Sequence, residues 1–136
     1  MKSKLKFKNP TLPYVESIAL CDKASISNQK KMSMVNIFDI WEDKPPAYLK
    51  ADLAVILVGK PNTKYLLYPK LTTRNSNKNI LGFNPITPTT SLNGKNNIII
   101  SLHVQLNKSG QYFLSIVHNK KNIGMTRFTL DENKKN

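Results

Sequence analysis

Apolar and polar residues alternate in short runs along most of this chain, and this period of two constrains the fold more than any other feature. In the clearest run, Ile98, Ile100, Leu102, Val104 and Leu106 share one face, and most of the residues between them are polar. Alternation of this kind is typical of a β-strand with one buried face. No stretch keeps the helical period for more than a turn or two. The sequence therefore predicts an all-β protein.

Eight such runs can be recognised, separated by clusters of Asn, Gly, Pro, Lys and Ser that end strands. They are residues 15–21, 31–41, 51–60, 63–68, 81–86, 97–106, 111–118 and 123–130, of which 81–86 is the weakest. This spacing predicts an antiparallel β-sandwich of seven or eight strands with an Ig-like or C2-like architecture. The apolar faces predict a core that includes Ile18, Leu20, Phe38, Val55, Leu57, Ile100, Leu102, Val104, Leu114 and Ile116.

The length of 136 residues fits a single domain. We expect a flexible basic arm over residues 1–13, a β-sandwich domain over 14–130 and a polar tail over 131–136. No apolar run approaches the roughly 18 residues of a membrane helix, and the Lys-rich start lacks the apolar segment of a signal peptide. We therefore expect a cytoplasmic protein that does not enter a membrane.

The runs 97–106 and 111–118 predict a hairpin. A three-residue loop of residues 108–110 would pair Leu106 with Tyr112 and would place Gly110 at a left-handed bulge position. A two-residue loop would instead set the apolar face of one strand against the polar face of the other. The pattern also predicts a bulge near Asn36 and a connection through Pro45 and Pro46 that crosses between sheets or turns outward.

The run 51–60 is apolar on both faces, whereas the outer face of a sandwich strand is usually in contact with water. Ala54, Ile56 and Val58 form its second face. These additional apolar residues predict that a second chain or the basic arm packs against this second face. A dimer interface is the simpler of the two arrangements. The first functional hypothesis is therefore a non-enzymatic interaction module that forms a homo-oligomer or binds a protein partner.

The charge distribution supports a different function. The chain has 21 basic and 8 acidic residues, a net charge of +13, and residues 53–130 contain ten basic residues and no acid. A surface of one sign attracts phosphate, so the alternative is a sequence-nonspecific nucleic-acid-binding protein. Nineteen Lys beside sixteen Asn also fit AT-rich codon usage with no ligand involved, and two Arg are few for reading base sequence. The predicted contacts are Lys2, Lys4, Lys6, Lys8, Lys64, Lys70, Arg74 and Arg127.

Exposed aromatic rings on a cationic sheet stack on single-stranded bases, so the aromatic residues near these cations are candidates as well. They are Tyr65, Tyr68, Phe113 and Phe128, of which Tyr65 and Phe113 are predicted to point away from the apolar faces. The other interpretation is that each ring covers a sheet edge or a dimer partner.

The sequence predicts no catalytic residue, metal site or cofactor. Its only acidic cluster is Asp39, Glu42 and Asp43, which falls at a predicted turn that water can reach. The two histidines fall on opposite faces in the predicted hairpin. Cys21 stands alone and is expected to be a small buried thiol. We therefore expect that the protein is not an enzyme.

Two parts of the sequence share a pattern with known sequences, namely the segments 18–22, 24–26, 34–39 and 45–46, and the later spacing of Gly110, Tyr112, Leu114 and Ile116. In these residues the chain resembles an uncharacterised bacterial and phage family of small β-sandwich proteins. Within them, Ile37-Phe38-Asp39 is the most specific match. Asn36 stands where the family often has Gly, and the loop from 71 to 97 is longer. The resemblance implies a β-sandwich of unknown function and no catalytic residue.

Overall fold

The computed structural model describes residues 11–81 and 85–132. Within these residues all regular structure is β, which confirms the predicted all-β class, and no helix occurs among them. The first ten residues of the predicted arm and the last four of the predicted tail lie outside the described residues. The strands are β1 (Tyr14–Ile26), β2 (Met32–Ile37), β3 (Ile40–Glu42), β4 (Ala47–Val58), β5 (Tyr68–Thr73), β6 (Lys95–Leu106), β7 (Gly110–His118) and β8 (Lys121–Asp131).

The strands form two four-stranded sheets. The first sheet has the order β2–β1–β4–β6 and the second has the order β3–β8–β7–β5. Neighbouring strands are antiparallel except β3 and β8, which run parallel. The expectation of wholly antiparallel pairing is therefore wrong at this one edge. The run 31–41 forms β2 in the first sheet, bends at Phe38 and Asp39, and continues as β3 in the second sheet, which sets the direction in which β3 meets β8.

The core lies between the two sheets and draws on both of them. Eight of the ten predicted core residues are buried there, and Ile18 and Phe38 are partly buried and pack against them. The predicted core is thus confirmed. Alternation identifies these residues because each strand turns every second side chain toward the same face. The largest fully buried side chains are Leu20, Leu49, Leu53, Leu57, Leu67, Leu71, Leu102, Leu106, Leu114, Ile116, Phe128 and Leu130.

The hairpin predicted between residues 97–106 and 111–118 is wrong. β6 pairs with β4 in the first sheet, whereas β7 pairs with β5 and β8 in the second. The apolar faces of β6 and β7 therefore meet across the core and not side by side. The Tyr112 hydroxyl of β7 donates to the carbonyl oxygen of Lys108 in the connection at 2.5 Å. Alternation shows which face of a strand is buried, but it does not show which sheet contains the strand.

The β1–β2 hairpin leaves the plane of the first sheet. Cys21 is the point of divergence, since it lies opposite both Asp52 of β4 and Ile37 of β2. Beyond it, the buried Asp52 carboxylate connects the hairpin to the sheet. It accepts the Ala24 N–H at 2.8 Å through Oδ2 and the Ser101 hydroxyl at 3.1 Å through Oδ1. A single carboxylate thereby satisfies one donor from the hairpin and one from β6.

Three local predictions concern Asn36, the connection through Pro45 and Pro46, and residues 63–68. The bulge predicted near Asn36 is wrong, because the β1–β2 register runs without a shift from Ile37 to Met32. Asn36 instead has a φ of 55°, and its side chain donates to Asp22 at 2.9 Å. Pro45 and Pro46 connect β3 in the second sheet to β4 in the first, as one of the two expected alternatives. Residues 63–68 form isolated bridges and not the predicted strand, and β5 begins at Tyr68.

Candidate functional site

The outer face of the second sheet carries an open groove of about 650 Å³, called here the cationic groove. Three cations stand along it, and the residues that line it include no carboxylate. Its floor is formed by outward side chains of β7 and β8, and its walls come from β5, the segment after β5 and the β7–β8 turn. The lining residues are Lys70, Thr72, Thr73, Arg74, Asn77, Phe113, Ser115, Val117, Lys120, Asn122 and Met125.

The alternation of β7 explains the floor of this groove. Leu114 and Ile116 are buried in the core, so Phe113, Ser115 and Val117 point to the opposite face of the strand. The ladder then places residues of the neighbouring strands beside them. Because β7 is an inner strand, its outward residues lie in the middle of the face.

The structure brings together three of the predicted nucleic-acid contacts. Lys70 and Arg74 line the cationic groove, and Arg127 lies directly opposite Phe113 in the β7–β8 ladder. Lys64 lies elsewhere, in an isolated bridge with Thr89. The remaining predicted contacts lie outside the described residues, namely Lys2, Lys4, Lys6 and Lys8.

Sequence analysis missed Lys120 as a member of the groove. β7 and β8 are joined by a two-residue turn in which Asn119 has φ of 49° and Lys120 has φ of 64°. Two successive residues with positive φ are the mark of a type I′ turn, which usually has Asn-Gly or Asp-Gly. Asn119 matches the first residue of this sequence pattern. Lys120 stands where the pattern has Gly, so the turn could not be recognised from the sequence. Lys120 lies at the end of the groove as a result.

The four aromatic candidates divide evenly between core and surface. Tyr65 is buried against expectation, accepts the Lys60 N–H at 2.8 Å and contacts the His118 ring edge-on. Phe128 is also buried, stacked on Tyr112 at a centroid distance of 5.3 Å. Phe113 points outward as predicted, and Tyr68 is exposed on the same face of the second sheet, opposite Val117. Only Tyr68 and Phe113 are placed to meet a ligand.

The predicted interface residues lie on the outer face of the first sheet, where the β1–β2 hairpin covers part of them. Ala54 is only 3% exposed and belongs to a small apolar cluster with Ala24 and Met32 of the hairpin. Little of Ala54 is therefore left for a second chain. Ile56 and Val58 are partly buried. The apolar second face of β4 is thus explained partly by the fold of the same chain, an arrangement that alternation within one strand does not reveal.

A second open groove, of about 510 Å³, lies along the edge strands β2 and β3 and is called here the edge groove. Phe38, Ile40, Trp41 and Tyr48 provide its apolar lining, and its polar lining includes Asp22 and Glu42. Large apolar side chains are also exposed here and along the adjoining part of β2, with exposed fractions of 62% for Ile37, 61% for Ile40, 59% for Tyr48 and 54% for Val35.

The titratable side chains are dispersed. His103 lies beside Tyr48 in the first sheet, whereas His118 lies beside Tyr65 in the second. Burial raises the pKa of the Cys21 thiol, and the negative charge of Asp52 raises it further. Among the described residues no three His, Cys, Asp or Glu side chains are grouped closely enough to hold a metal ion.

No protein-family model matches the sequence, and no curated protein matches it. In the described part of the chain, no helix has the length and apolarity required to cross a bilayer.

Proposed function

We propose that this chain is a non-enzymatic interaction module that forms a homodimer through its β2–β3 edge. The observation that carries the proposal is the row of exposed apolar side chains along this edge, with Val35, Ile37 and Ile40 each more than half exposed. Isolated exposed apolar residues are ordinary, but several along the adjoining edges of two sheets are typical of an interface.

The backbone of β2 gives the second argument. β2 is the last strand of the first sheet, so one of its edges has no partner strand among the described residues. Strands in this position pair readily with another chain, and proteins usually protect them with charge, proline or a covering segment. Residues 32–37 of β2 contain neither a charge nor a proline. Antiparallel pairing of two β2 strands about a two-fold axis would join two copies through the same surface on each.

Features of the structure support two further parts of this proposal. A core shared by two four-stranded sheets supports a β-sandwich of Ig-like or C2-like architecture. A single buried cysteine suits a reducing compartment and supports a cytoplasmic location. The chain's resemblance to the uncharacterised bacterial and phage family stays a prediction, as does the division into an arm, a domain and a tail.

Light scattering over a series of concentrations tests the proposal. We expect the mass to approach twice the monomer mass of 15.4 kDa, and we expect Ile37→Lys and Ile40→Lys to return the protein to a monomer. Leu92→Lys is the matched control, since Leu92 is 82% exposed in the loop before β6, away from the β2–β3 edge. A wild-type monomer at about 1 mM, where even weak association becomes visible, overturns the proposal. So does a dimer that the two edge variants leave intact.

A further inference from the structure

The cationic groove is separate from the β2–β3 edge, and its composition suits a different ligand. We propose that it binds single-stranded nucleic acid without sequence specificity. Lys70, Arg74, Lys120 and Arg127 contact the phosphates, and bases stack on the rings of Phe113 and Tyr68. This inference does not depend on the proposed dimer.

The charge of the groove is the first argument. Lys70, Arg74 and Lys120 line it, and Arg127 lies beside Phe113 on the same face. The lining of the groove contains no carboxylate, and the Lys95–Glu16 ion pair lies outside it. The chain has no acid between residues 53 and 130, the stretch that supplies every residue of this groove. Unopposed charges around a concave surface reinforce one another and attract a polyanion.

The positions of the rings are the second argument. Tyr68 lies opposite Val117, which follows Phe113 by four residues on β7, so the two rings share one face about 13 Å apart along the strands. Between them lies Ser115, with Lys70 directly opposite it. Because the side chain of Ser115 is small, the surface of the sheet is recessed between the two rings. Lys70 places a cation at the same level along the strands. This alternation of ring, cation and ring suits a chain whose bases and phosphates also alternate.

These features favour a single strand over other polyanions. An acidic peptide would use the cations and gain little from the rings. The bases of a duplex are already stacked on each other, so their faces are not available to Tyr68 or Phe113. The groove holds a single arginine of its own, Arg74, and bidentate recognition of a base edge usually requires this residue. We therefore expect affinity without preference for sequence.

Fluorescence anisotropy with labelled oligothymidine and oligouridine, at several salt concentrations and with the full chain, tests the inference. Each phosphate neutralised on a single strand contributes about −0.7 to the slope of log K against log salt. Four contacts therefore predict a slope of about −3.

Two kinds of variant separate the contributions of charge and of base stacking to the binding affinity. Lys120→Gly removes one cation at a turn position that favours glycine, so we expect the protein to fold normally and the slope to fall to about −2. Lys23→Gln on β1 makes the same change in charge on the first sheet and should leave the slope unchanged. Phe113→Leu and Tyr68→Leu should each weaken binding by about fivefold or more with no change in slope. Tyr48→Leu, which removes an exposed ring from the first sheet, is their control.

Competition by unlabelled polymers identifies the class of ligand. We expect a single strand to compete much better than the same strand in a duplex or than polyglutamate. Equal competition by polyglutamate would show that the surface recognises charge alone, as in binding an acidic protein, and would overturn the inference. Equal competition by duplex would overturn it as well. So would the loss of all binding on changing Lys2, Lys4, Lys6 and Lys8 to Gln, if the variants of the groove had no effect.

Discussion

Replacement of Gly124 by alanine tests how the two sheets contact each other. Gly124 on β8 lies against Val15 on β1, and a Cβ added at Gly124 would fall 2.5 Å from the Val15 Cβ and 2.6 Å from its Cγ2. Carbon atoms in contact normally lie about 3.5 to 4.0 Å apart, so the methyl group would overlap Val15 by about 1 Å. Gly124 has no positive φ, and the conflict is therefore one of space alone.

The expected loss of stability in Gly124→Ala comes from overpacking of the contact between Gly124 and Val15. Insertion of one carbon into a closely packed contact usually costs about 1 to 3 kcal/mol, and we expect Gly124→Ala to lower the free energy of unfolding by that amount. Val15→Ala alone should cost about 1 kcal/mol because the side chain is only partly buried. In the double variant the new methyl group enters the space that Val15 leaves. The combined cost should therefore be smaller than the sum of the single costs by at least about 1 kcal/mol.

Urea unfolding, followed by the fluorescence of the single tryptophan, Trp41, measures all four free energies in the cycle. The cycle provides its own control, since Val15→Ala should relieve the effect of Gly124→Ala. If the two costs add to within about 0.5 kcal/mol, the residues do not touch, and the contact that we assign between the two sheets at this point is wrong.

Three further predictions follow from buried groups. Asp52→Ala removes the acceptor of a buried backbone N–H and should cost about 1.5 to 3 kcal/mol in urea unfolding, whereas Asp22→Ala on the exposed surface should cost less than about 0.5 kcal/mol; equal costs would refute the assigned hydrogen bonds. Cys21 is buried and its pKa is raised, so alkylation by iodoacetamide at pH 8.5 should be at least about tenfold slower in the folded protein than in urea, and equal rates would contradict its burial. Leu102→Ala should cost about 2 to 5 kcal/mol and Leu92→Ala less than about 0.5 kcal/mol, and a small cost at Leu102 would contradict its position in the core.

The sequence predicted the buried face of most strands but not the pairing of the strands. Leu102 and Leu114 were both expected in the core, and both are there. They were also expected in neighbouring strands of one hairpin, yet they lie in opposite sheets. Both arrangements bury the same side chains, so a pattern of apolar residues does not distinguish them. The choice depends on which strands satisfy the backbone hydrogen bonds, and that depends on residues distant in the sequence.

Only part of the candidate site could be predicted, because its geometry also depends on how the strands pair. In the sequence only charge marks Lys70 and Arg127, whereas the ladder of β5, β7 and β8 places them on one face with Phe113. Lys120 was missed because its role depends on the backbone of a turn that usually contains glycine. Ala54 was expected at an interface because its strand is apolar on both faces, and the β1–β2 hairpin covers it.

The sequence by itself determined the β class, the faces that are buried and the stretch that is free of acids. These are local properties, since side-chain alternation and charge need no knowledge of neighbouring strands. Only the tertiary structure decided that β6 and β7 belong to different sheets, that the hairpin covers the first sheet and that cations from three segments surround one groove. Each of these results depends on contacts between residues far apart in the chain. Such contacts are selected by the packing and hydrogen bonding of the whole domain, and no single segment encodes them.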